Sequence, residues 1–500
     1  MKKSSLLHKL AKMAARSPGF IVAGGTALRA LGINESLWFD EAFTARLVTL
    51  SPAAFVKGIL SDSAPPGWPI LEYMVTRILG NTEAALRAPA LALGALIIYL
   101  VYRISLAVEN DRVPALLAAA FTALLPVGLY FSVEARQYNL LAAGVLLALL
   151  GCIENRAWMI VAGAIAAIYA QNVGVIYVGA MLAGYAMFSP GKGKARRLIL
   201  MTVPIGAAVA PWIPFLLEQA KAVGSSFWLP GMTAPQLLAP LATMIMGWRI
   251  PESVQIPVYV VGMLCTLLGV YAARRWLLTR QGIMLLLIFV GAPLALGALS
   301  AAWRNIYLPR AILPSALLVP VFWASAGRNA PVLNSRQLAG LLNGVLIFCA
   351  FWFAAPPGRT GRIDMRVWFA PIGEGWQQGD IIYHGNEATQ MLALYYLPDK
   401  PSVARPNEGS FMSLTEGVKE SFGLVSENFH DVAAGACRVW LVFSGMPTST
   451  AGELAEAEDL KRVSTMVRYR EADHLWQGIY LFDKGESCER RSVFNRKSPS

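Results

Sequence analysis

Ala90-Leu91-Ala92-Leu93-Gly94-Ala95-Leu96-Ile97-Ile98-Tyr99-Leu100-Val101-Tyr102 is the centre of an apolar run over residues 84–105. A helix rises about 1.5 Å per residue, so about 20 apolar residues cross the roughly 30 Å hydrocarbon core of a bilayer. Similar runs recur at 18–34, 113–131, 137–153, 157–171, 173–189, 198–217, 254–273, 282–300, 310–326 and 337–355. The pattern predicts an α-helical polytopic membrane protein with about 11 transmembrane helices. Gln171-Asn172 interrupts the run from 157 to 189 and predicts a short turn. Composition agrees: 15% of the residues are charged, against about 25% in a soluble globular protein. Lipid is therefore the solvent for most of the chain.

The formal charge of +12 would suggest nucleic acid in a soluble protein. Here many Lys and Arg residues sit in short loops between apolar runs, and no basic-plus-aromatic reader motif occurs. Nucleic acid is therefore not an expected partner. Lys2, Lys3, Lys9, Lys12 and Arg16 precede the first run, which reads as a retained span with its basic end in the cytoplasm. The loops then alternate. Arg103 and Arg112, then Arg156, then Lys192-Lys194-Arg196-Arg197, then Arg274-Arg275-Arg280, then Arg328 and Arg336 fall on the inner side. An odd number of spans puts the tail outside. The tail begins at Ala354-Ala355-Pro356-Pro357-Gly358, where a helix must stop. The expected division is thus a membrane domain over 1–355 and a soluble extracytoplasmic domain over 356–500. In the tail, strand-like 380–383, helical 387–397, strand-like 438–443, helical 451–462 and strand-like 478–482 predict a small α/β domain. Of five cysteines, Cys152, Cys265 and Cys349 lie in apolar runs, while Cys437 and Cys488 lie in the tail and can pair in an oxidising compartment. No metal-site spacing of cysteines is present.

Two outer segments, 35–83 and 218–253, exceed the short-loop habit, and long loops in a compact architecture are usually functional. Four segments carry chemistry. Leu37-Trp38-Phe39-Asp40-Glu41 places two adjacent carboxylates just past the first span. A carboxylate can take the proton of an attacking hydroxyl; equally, Asp40 can cap a helix whose positive end Glu41 favours. Asp62-Ser63-Ala64-Pro65-Pro66-Gly67-Trp68 is a stiff turn beside an interfacial aromatic, and its one carboxylate, Asp62, is weak evidence for a metal. Ser132-Val133-Glu134-Ala135-Arg136-Gln137-Tyr138 brings Glu134 and Arg136 to the hydrocarbon boundary, where an Arg fork suits phosphate and a Glu–Arg pair can also simply anchor helices. Trp303-Arg304-Asn305-Ile306-Tyr307-Leu308-Pro309-Arg310 offers Arg304 and Arg310 to a lipid phosphate or to ordinary headgroups. Trp248-Arg249 carries the same two readings.

Together these segments resemble the family 39 class of membrane glycosyltransferases in the GT-C superfamily, which includes protein O-mannosyltransferases and the aminoarabinose transferase of lipid A. The likeness is strong over about 35–140, looser through 300–325, and returns in the tail near Arg366-Val367-Trp368 to Gly379-Asp380. The resemblance implies a GT-C-like fold, a polyprenyl-phosphate sugar donor and an inverting transfer. It implies Asp40 as the base with Glu41 in support. Glu134 and Arg136 match the family's Glu-Ala-Arg-x-Tyr segment, which ends here in Tyr138, and Arg310 matches an Arg before a late helix. Arg136, Arg310 and Arg304 are then the donor-phosphate ligands, with Asp62, Glu134 and Tyr138 supporting. Where the family often has His before the Pro pair, this chain has Ala64, so a divalent metal is not predicted as a requirement, though the resemblance leaves room for one, and no other cofactor is implied. The acceptor is a glycolipid, a polysaccharide or a protein, and the location is the cell (inner) membrane. No Gly-rich phosphate loop is present, which suits a lipid-linked donor better than a nucleotide sugar. A transporter or flippase is the main competing class. Against it, no internal repeat is visible and the charges cluster at one face. A non-catalytic membrane binding protein leaves the Asp-Glu pair unexplained.

Overall fold

The computed structural model describes residues 17–188, 193–226, 232–247, 250, 252–329, 344, 347, 363–406, 414–444, 461–470 and 475–484. In chain order the helices are α1 (Pro18–Ala30), α2 (Phe39–Thr49), α3 (Pro52–Ser61), α4 (Gly67–Leu79), α5 (Glu83–Glu109), α6 (Arg112–Leu124), α7 (Pro126–Phe131), α8 (Tyr138–Glu154), α9 (Ala157–Ala170), α10 (Gly174–Phe188), α11 (Lys194–Val209), α12 (Ile213–Ser226), α13 (Ala234–Met246), α14 (Glu252–Ala272), α15 (Arg274–Leu277), α16 (Arg280–Leu286), α17 (Ala292–Ala302), α18 (Leu313–Ala316) and α19 (Val319–Asn329). The tail adds α20 (Met365–Gly375), β1 (Asp380–His384), α21 (Glu387–Tyr396), β2 (Ser402–Ala404), α22 (Glu416–Phe422), α23 (Phe429–Gly435), β3 (Arg438–Ser444), β4 (Lys461–Arg470) and β5 (Leu475–Asp483). The chain forms two compact units: 1–34 with 63–361, and 35–62 with 362–500. The second unit thus takes part of the 35–83 segment as well as the tail.

In the first unit the apolar runs expected up to residue 326 all coincide with helix. Of the last, 337–355, only 344 and 347 are described, both helical. Among the described residues five stretches are long and apolar enough to cross a membrane: Glu83–Glu109, Lys194–Lys221, Ser253–Ala272, Arg280–Ala302 and Pro309–Ala326. Helices α6, α8, α9 and α10 are apolar but shorter, and local chemistry sets their ends. Asn110 and Asn155, at φ +50° and +56°, cap α5 and α8 in the left-handed conformation. The run expected over 113–131 breaks at Leu125, held extended before Pro126. Arg103, Arg156 and Arg280, which the loop charges assign to one side, meet at one end of α8. Arg103 and Arg156 bind Glu154 at 2.6 and 3.2 Å, and Arg280 donates to Asn155 at 2.7 Å.

At the core of this unit lies a charged residue that the sequence reading passed over. Arg29, in α1, is 2% exposed. Its guanidinium donates to the Gly94 carbonyl at 2.9 Å, the Thr122 carbonyl at 2.6 Å and Ser132 Oγ at 3.1 Å. Three neighbouring stretches, α5, α6 and the turn after α7, are thereby tied to α1. The approach needs glycine at 94: a Cβ there would press on Ser132 Oγ and stand 3.0 Å from both Ser132 Cβ and Arg29 Nη1. Ser132 Oγ also donates to the Gly128 carbonyl at 2.6 Å and accepts from Asn139 Nδ2 at 3.4 Å, which extends the network to α8.

The second unit is built on a mixed five-stranded sheet in the order β2-β1-β3-β5-β4. β1 is parallel to β2 and β3, while β5 runs antiparallel to β3 and β4. Ile381, Tyr383, Val439 and Leu441 pack with Phe429 and Val432 of α23 on one face. The strands expected at 380–383, 438–443 and 478–482 and the helix expected at 387–397 are present. The helix expected over 451–462 is not borne out where it is described: Lys461 and Arg462 belong to β4, paired with Asp483 and Phe482. Its residues 451–460 lie outside the described residues. Cys437 is disulfide-bonded; its expected partner Cys488 lies outside the described residues, and Lys484 donates its backbone N–H to the Cys437 carbonyl at 3.1 Å.

Segment 35–62 packs on the tail. Helix α2 lies on α21, and α3 lies on α22. Phe43 and Phe422 meet at a tilt with ring centres 5.1 Å apart, Arg46 donates to the Phe422 carbonyl at 2.8 Å, and Thr415 Oγ1 donates to the Ser61 carbonyl at 2.8 Å.

Two outcomes follow from these contacts. Gly94→Ala should lower stability by about 1–3 kcal/mol through overpacking against Arg29 and Ser132, read as a lower thermal midpoint in detergent; an unchanged midpoint contradicts the packing described. In the second unit, burial pushes His384 down to about 3, whereas in the unfolded chain a histidine protonates near 6.5. Between those values the unfolded state binds the extra proton, so stability is full above about 6.5 and falls as pH drops toward 3, by roughly 1 kcal/mol per pH unit. Denaturant melts from pH 7 to 4 should show this slope, and His384→Gln should flatten it.

Candidate functional site

In the first unit, three of the four segments singled out from sequence converge at the end of α8 opposite Glu154. Helix α7 stops at Phe131, and a tight turn follows in which Arg136 N–H donates to the Glu134 carbonyl at 2.7 Å. Helix α8 then opens at Tyr138. Glu134 is 2% exposed and Arg136 is half-buried. Trp68, at the start of α4, donates its indole N–H to the Ala135 carbonyl at 3.1 Å, between those two residues. The Pro-Pro turn and the Glu-Ala-Arg turn are thus one structure. Glycine at 67 is required here, since a Cβ would lie 2.5 Å from the Tyr169 carbonyl oxygen.

The last of the three comes from late in the sequence of this unit. Arg310 sits in a 3-10 turn, Pro309–Ile312, and its guanidinium lies 5.4 Å from the centre of the Tyr138 ring. That ring is buried against Phe131 at 5.1 Å, so the cation stands over a fixed aromatic face. Tyr177 Oη holds the turn by donating to the Ala311 carbonyl at 3.0 Å. Arg304 is half-buried in the preceding loop, whose shape is set by Asn305 Oδ1 accepting from Tyr307 N–H at 3.1 Å.

Several residues of this cluster escaped the sequence reading. Asn172 Nδ2 donates to the Ser63 carbonyl at 3.3 Å and to Gln219 Oε1 at 3.1 Å, which ties the turn between α9 and α10 to the Pro-Pro segment. Gln171-Asn172 was visible as a turn, but nothing in its spacing pointed to residue 63. Glu72 is fully buried in α4. An ionisable group in an apolar helix one turn from a motif was the signal available. Trp248-Arg249 lies outside the described residues.

Asp40, Glu41 and Asp62 belong to the second unit. Helix α2 begins after an N-cap at Trp38, so Asp40 is not the capping residue that one reading of the sequence made it. The reciprocal bond comes from Glu41, fully buried, whose Oε2 accepts from Trp38 N–H at 3.3 Å. A carboxylate three residues on reaches that N–H naturally, whereas Asp40, at the second helical position, projects from the first turn with partial exposure. Asp62 closes α3 instead, its N–H donating to Gly58 and Ile59 carbonyls at 3.1 and 3.3 Å. Among the described residues no three His, Cys, Asp or Glu side chains gather closely enough to hold a metal ion.

Comparison with known proteins places this geometry in context. The family model described as dolichyl-phosphate-mannose-protein mannosyltransferase matches residues 63–217, the stretch that holds the Trp68, Glu134 and Arg136 turns. The crystal structure of ArnT from Cupriavidus metallidurans bound to undecaprenyl phosphate is similar over 92% of this chain and 97% of its own, with a TM-score of 0.60 and 15% identity. Its apo form gives 0.62 at the same identity and coverage. The cryo-EM structure of arabinofuranosyltransferase AftD from Mycobacteria is similar over 95% of this chain and 40% of its own, with a TM-score of 0.56 and 15% identity. No curated protein matches by sequence. The family match and the shared fold bear out the resemblance drawn from the motifs: the chain has the architecture of the GT-C membrane glycosyltransferases.

Trp68→Phe keeps an aromatic ring but removes the indole donor to Ala135 and part of the buried volume. It leaves a buried carbonyl unmatched, a loss of about 1–3 kcal/mol. Thermal unfolding should register it, and hydrogen exchange should quicken in residues 132–138. Unaltered exchange there would show that the indole does not hold the turn.

Proposed function

We propose that this protein transfers a sugar from a polyprenyl-phosphate donor to an acceptor hydroxyl at the outer face of the cell (inner) membrane, with inversion and with Asp40 as general base. The observation that carries the reading is the convergence of Trp68, Glu134, Arg136, Tyr138 and Arg310 at one end of the helix bundle. The Arg310 guanidinium over the buried Tyr138 ring, with Arg136 two residues before that tyrosine on an apolar scaffold, suits a phosphate whose remainder is lipid. The match to the family described as dolichyl-phosphate-mannose-protein mannosyltransferase over residues 63–217, which hold Trp68, Glu134, Arg136 and Tyr138, supports the same donor chemistry.

The chemistry balances as a single displacement. The acceptor oxygen forms a bond to the anomeric carbon from the face opposite the phosphate. The bond from that carbon to the phosphate oxygen breaks, and its electron pair leaves with the polyprenyl phosphate. Asp40 takes the acceptor proton. Negative charge grows on the leaving phosphate, where Arg136 and Arg310 stabilise it and Arg304 adds to the local field. Glu41 fixes the first turn that carries Asp40. Glu134, Tyr138 and Asp62 support the cation-bearing turns and the segment ends. The acceptor class, glycolipid, polysaccharide or protein, is that of an envelope component. The proposed topology has the N-terminus in the cytoplasm and residues 356–500 outside, following the loop charges.

The test is turnover of purified protein with a panel of undecaprenyl-phosphate sugars, read as release of free undecaprenyl phosphate. Asp40→Asn keeps size and should insert normally, bind donor and lose about 10²-fold or more of kcat. Arg136→Ala should weaken donor binding as well as turnover. Full activity in Asp40→Asn would remove the residue from the reaction. A normal donor affinity in Arg136→Ala would remove that side chain from the phosphate.

A further inference from the structure

We infer that Tyr396, in the C-terminal part of the chain, is a positioning residue that acts through Asp40. The inference rests on the proposed role of Asp40 and goes beyond it by assigning the tail a part in the reaction. Three consecutive residues lead into α2, and each is held. Ser36 Oγ donates to the Ile363 carbonyl at 3.2 Å and accepts from Met365 N–H at 3.0 Å. Leu37 N–H donates to Tyr396 Oη at 2.6 Å. Trp38 N–H goes to Glu41. Ser36 and Leu37 are 5% and 1% exposed, so water does not readily replace these partners.

The start of a helix has no intrahelical partner for its first N–H groups and frays unless something else binds them. Glu41 serves the N-cap Trp38, and the residue just before it, Leu37, is anchored by a phenol from the end of α21. Its ring is itself fixed, stacked near Phe369 at 6.3 Å and edge-on to Tyr395 at 4.9 Å. Leu37 precedes Asp40 by three residues, so the place of Tyr396 Oη sets where the first turn of α2 begins and where the Asp40 carboxylate is carried. A general base misplaced by about 1 Å can lose about 10²-fold in rate. The proposed donor-phosphate cations belong to the other unit and do not depend on this bond.

Tyr396→Phe retains the ring and removes only Oη. The expected result is a fall of about tenfold in kcat, an unchanged donor KM and no further fall when the substitution is added to Asp40→Asn. Tyr383→Phe serves as control: it deletes another tail phenol, which donates to the Glu427 carbonyl at 3.3 Å, and should leave kcat unchanged. The probe is the undecaprenyl-phosphate sugar that the panel above turns over, with kcat expressed per donor-binding site so that misfolded protein does not count. Normal kcat in Tyr396→Phe overturns the inference while leaving Asp40 in place. An equal fall in the Asp40→Asn background also overturns it, because Tyr396 would then act by another route. An equal fall in Tyr383→Phe would reduce the effect to general destabilisation. Full activity of Asp40→Asn, or no turnover of any donor, would instead defeat the underlying reading.

Discussion

A guanidinium sealed inside a helix bundle imposes a demand that the rest of the membrane unit has to meet. Hydrocarbon offers no hydrogen bonds, so a polar group buried there costs several kcal/mol unless protein atoms serve it. Arg29 draws on acceptors from α5, α6 and the turn after α7, and these can reach one planar fork only if the helices approach closely. Glycine at 94 makes room for that approach. Because Ser132 serves both Arg29 and Asn139, the first helix is linked to the turn bearing Glu134 and Arg136. The approach of α1, α5 and α6 to the turn that carries Glu134 and Arg136 is thus tied to one buried charge.

The other unit is organised by a long return of the chain. Residues 35–62 leave the membrane sequence early, yet their partners lie more than 300 residues later, as the bonds from Ser36 to Ile363 and from Leu37 to Tyr396 show. Closing so large a loop is costly in entropy, but the cost grows only slowly with length. Packing of Phe43 on buried Phe422, and the bond from Arg46 to the Phe422 carbonyl at 2.8 Å, offset it. Under the proposed function, the phosphate ligands and the base are therefore carried by units with separate cores, and the fit of each core governs one half of the chemistry.

Much of this was legible in the residues themselves. Apolar runs at span length specify helices in lipid because each backbone group must be satisfied within its own segment. Asn at 110 and 155 and Pro at 126 mark where those helices stop, through backbone sterics that are local. The order of strand-like and helical segments in the tail announced its α/β sheet, and the motifs around Glu134, Arg136 and Arg310 announced themselves as charges at a hydrocarbon boundary. Such features depend on neighbours a few residues away, so a linear reading reaches them. What it could not reach were pairings across the chain: Arg29 with Thr122, Trp68 with Ala135, Asn172 with Ser63, Tyr396 with Leu37. The capping role shows the limit sharply. Two adjacent carboxylates both suit a helix start, and only the position of Trp38 as N-cap assigns the bond to Glu41. Sequence by itself determined the lipid solvent, the helices and their ends, because hydration and sterics act locally; tertiary structure decided which distant groups share a turn, because that depends on packing between helices that no local pattern encodes.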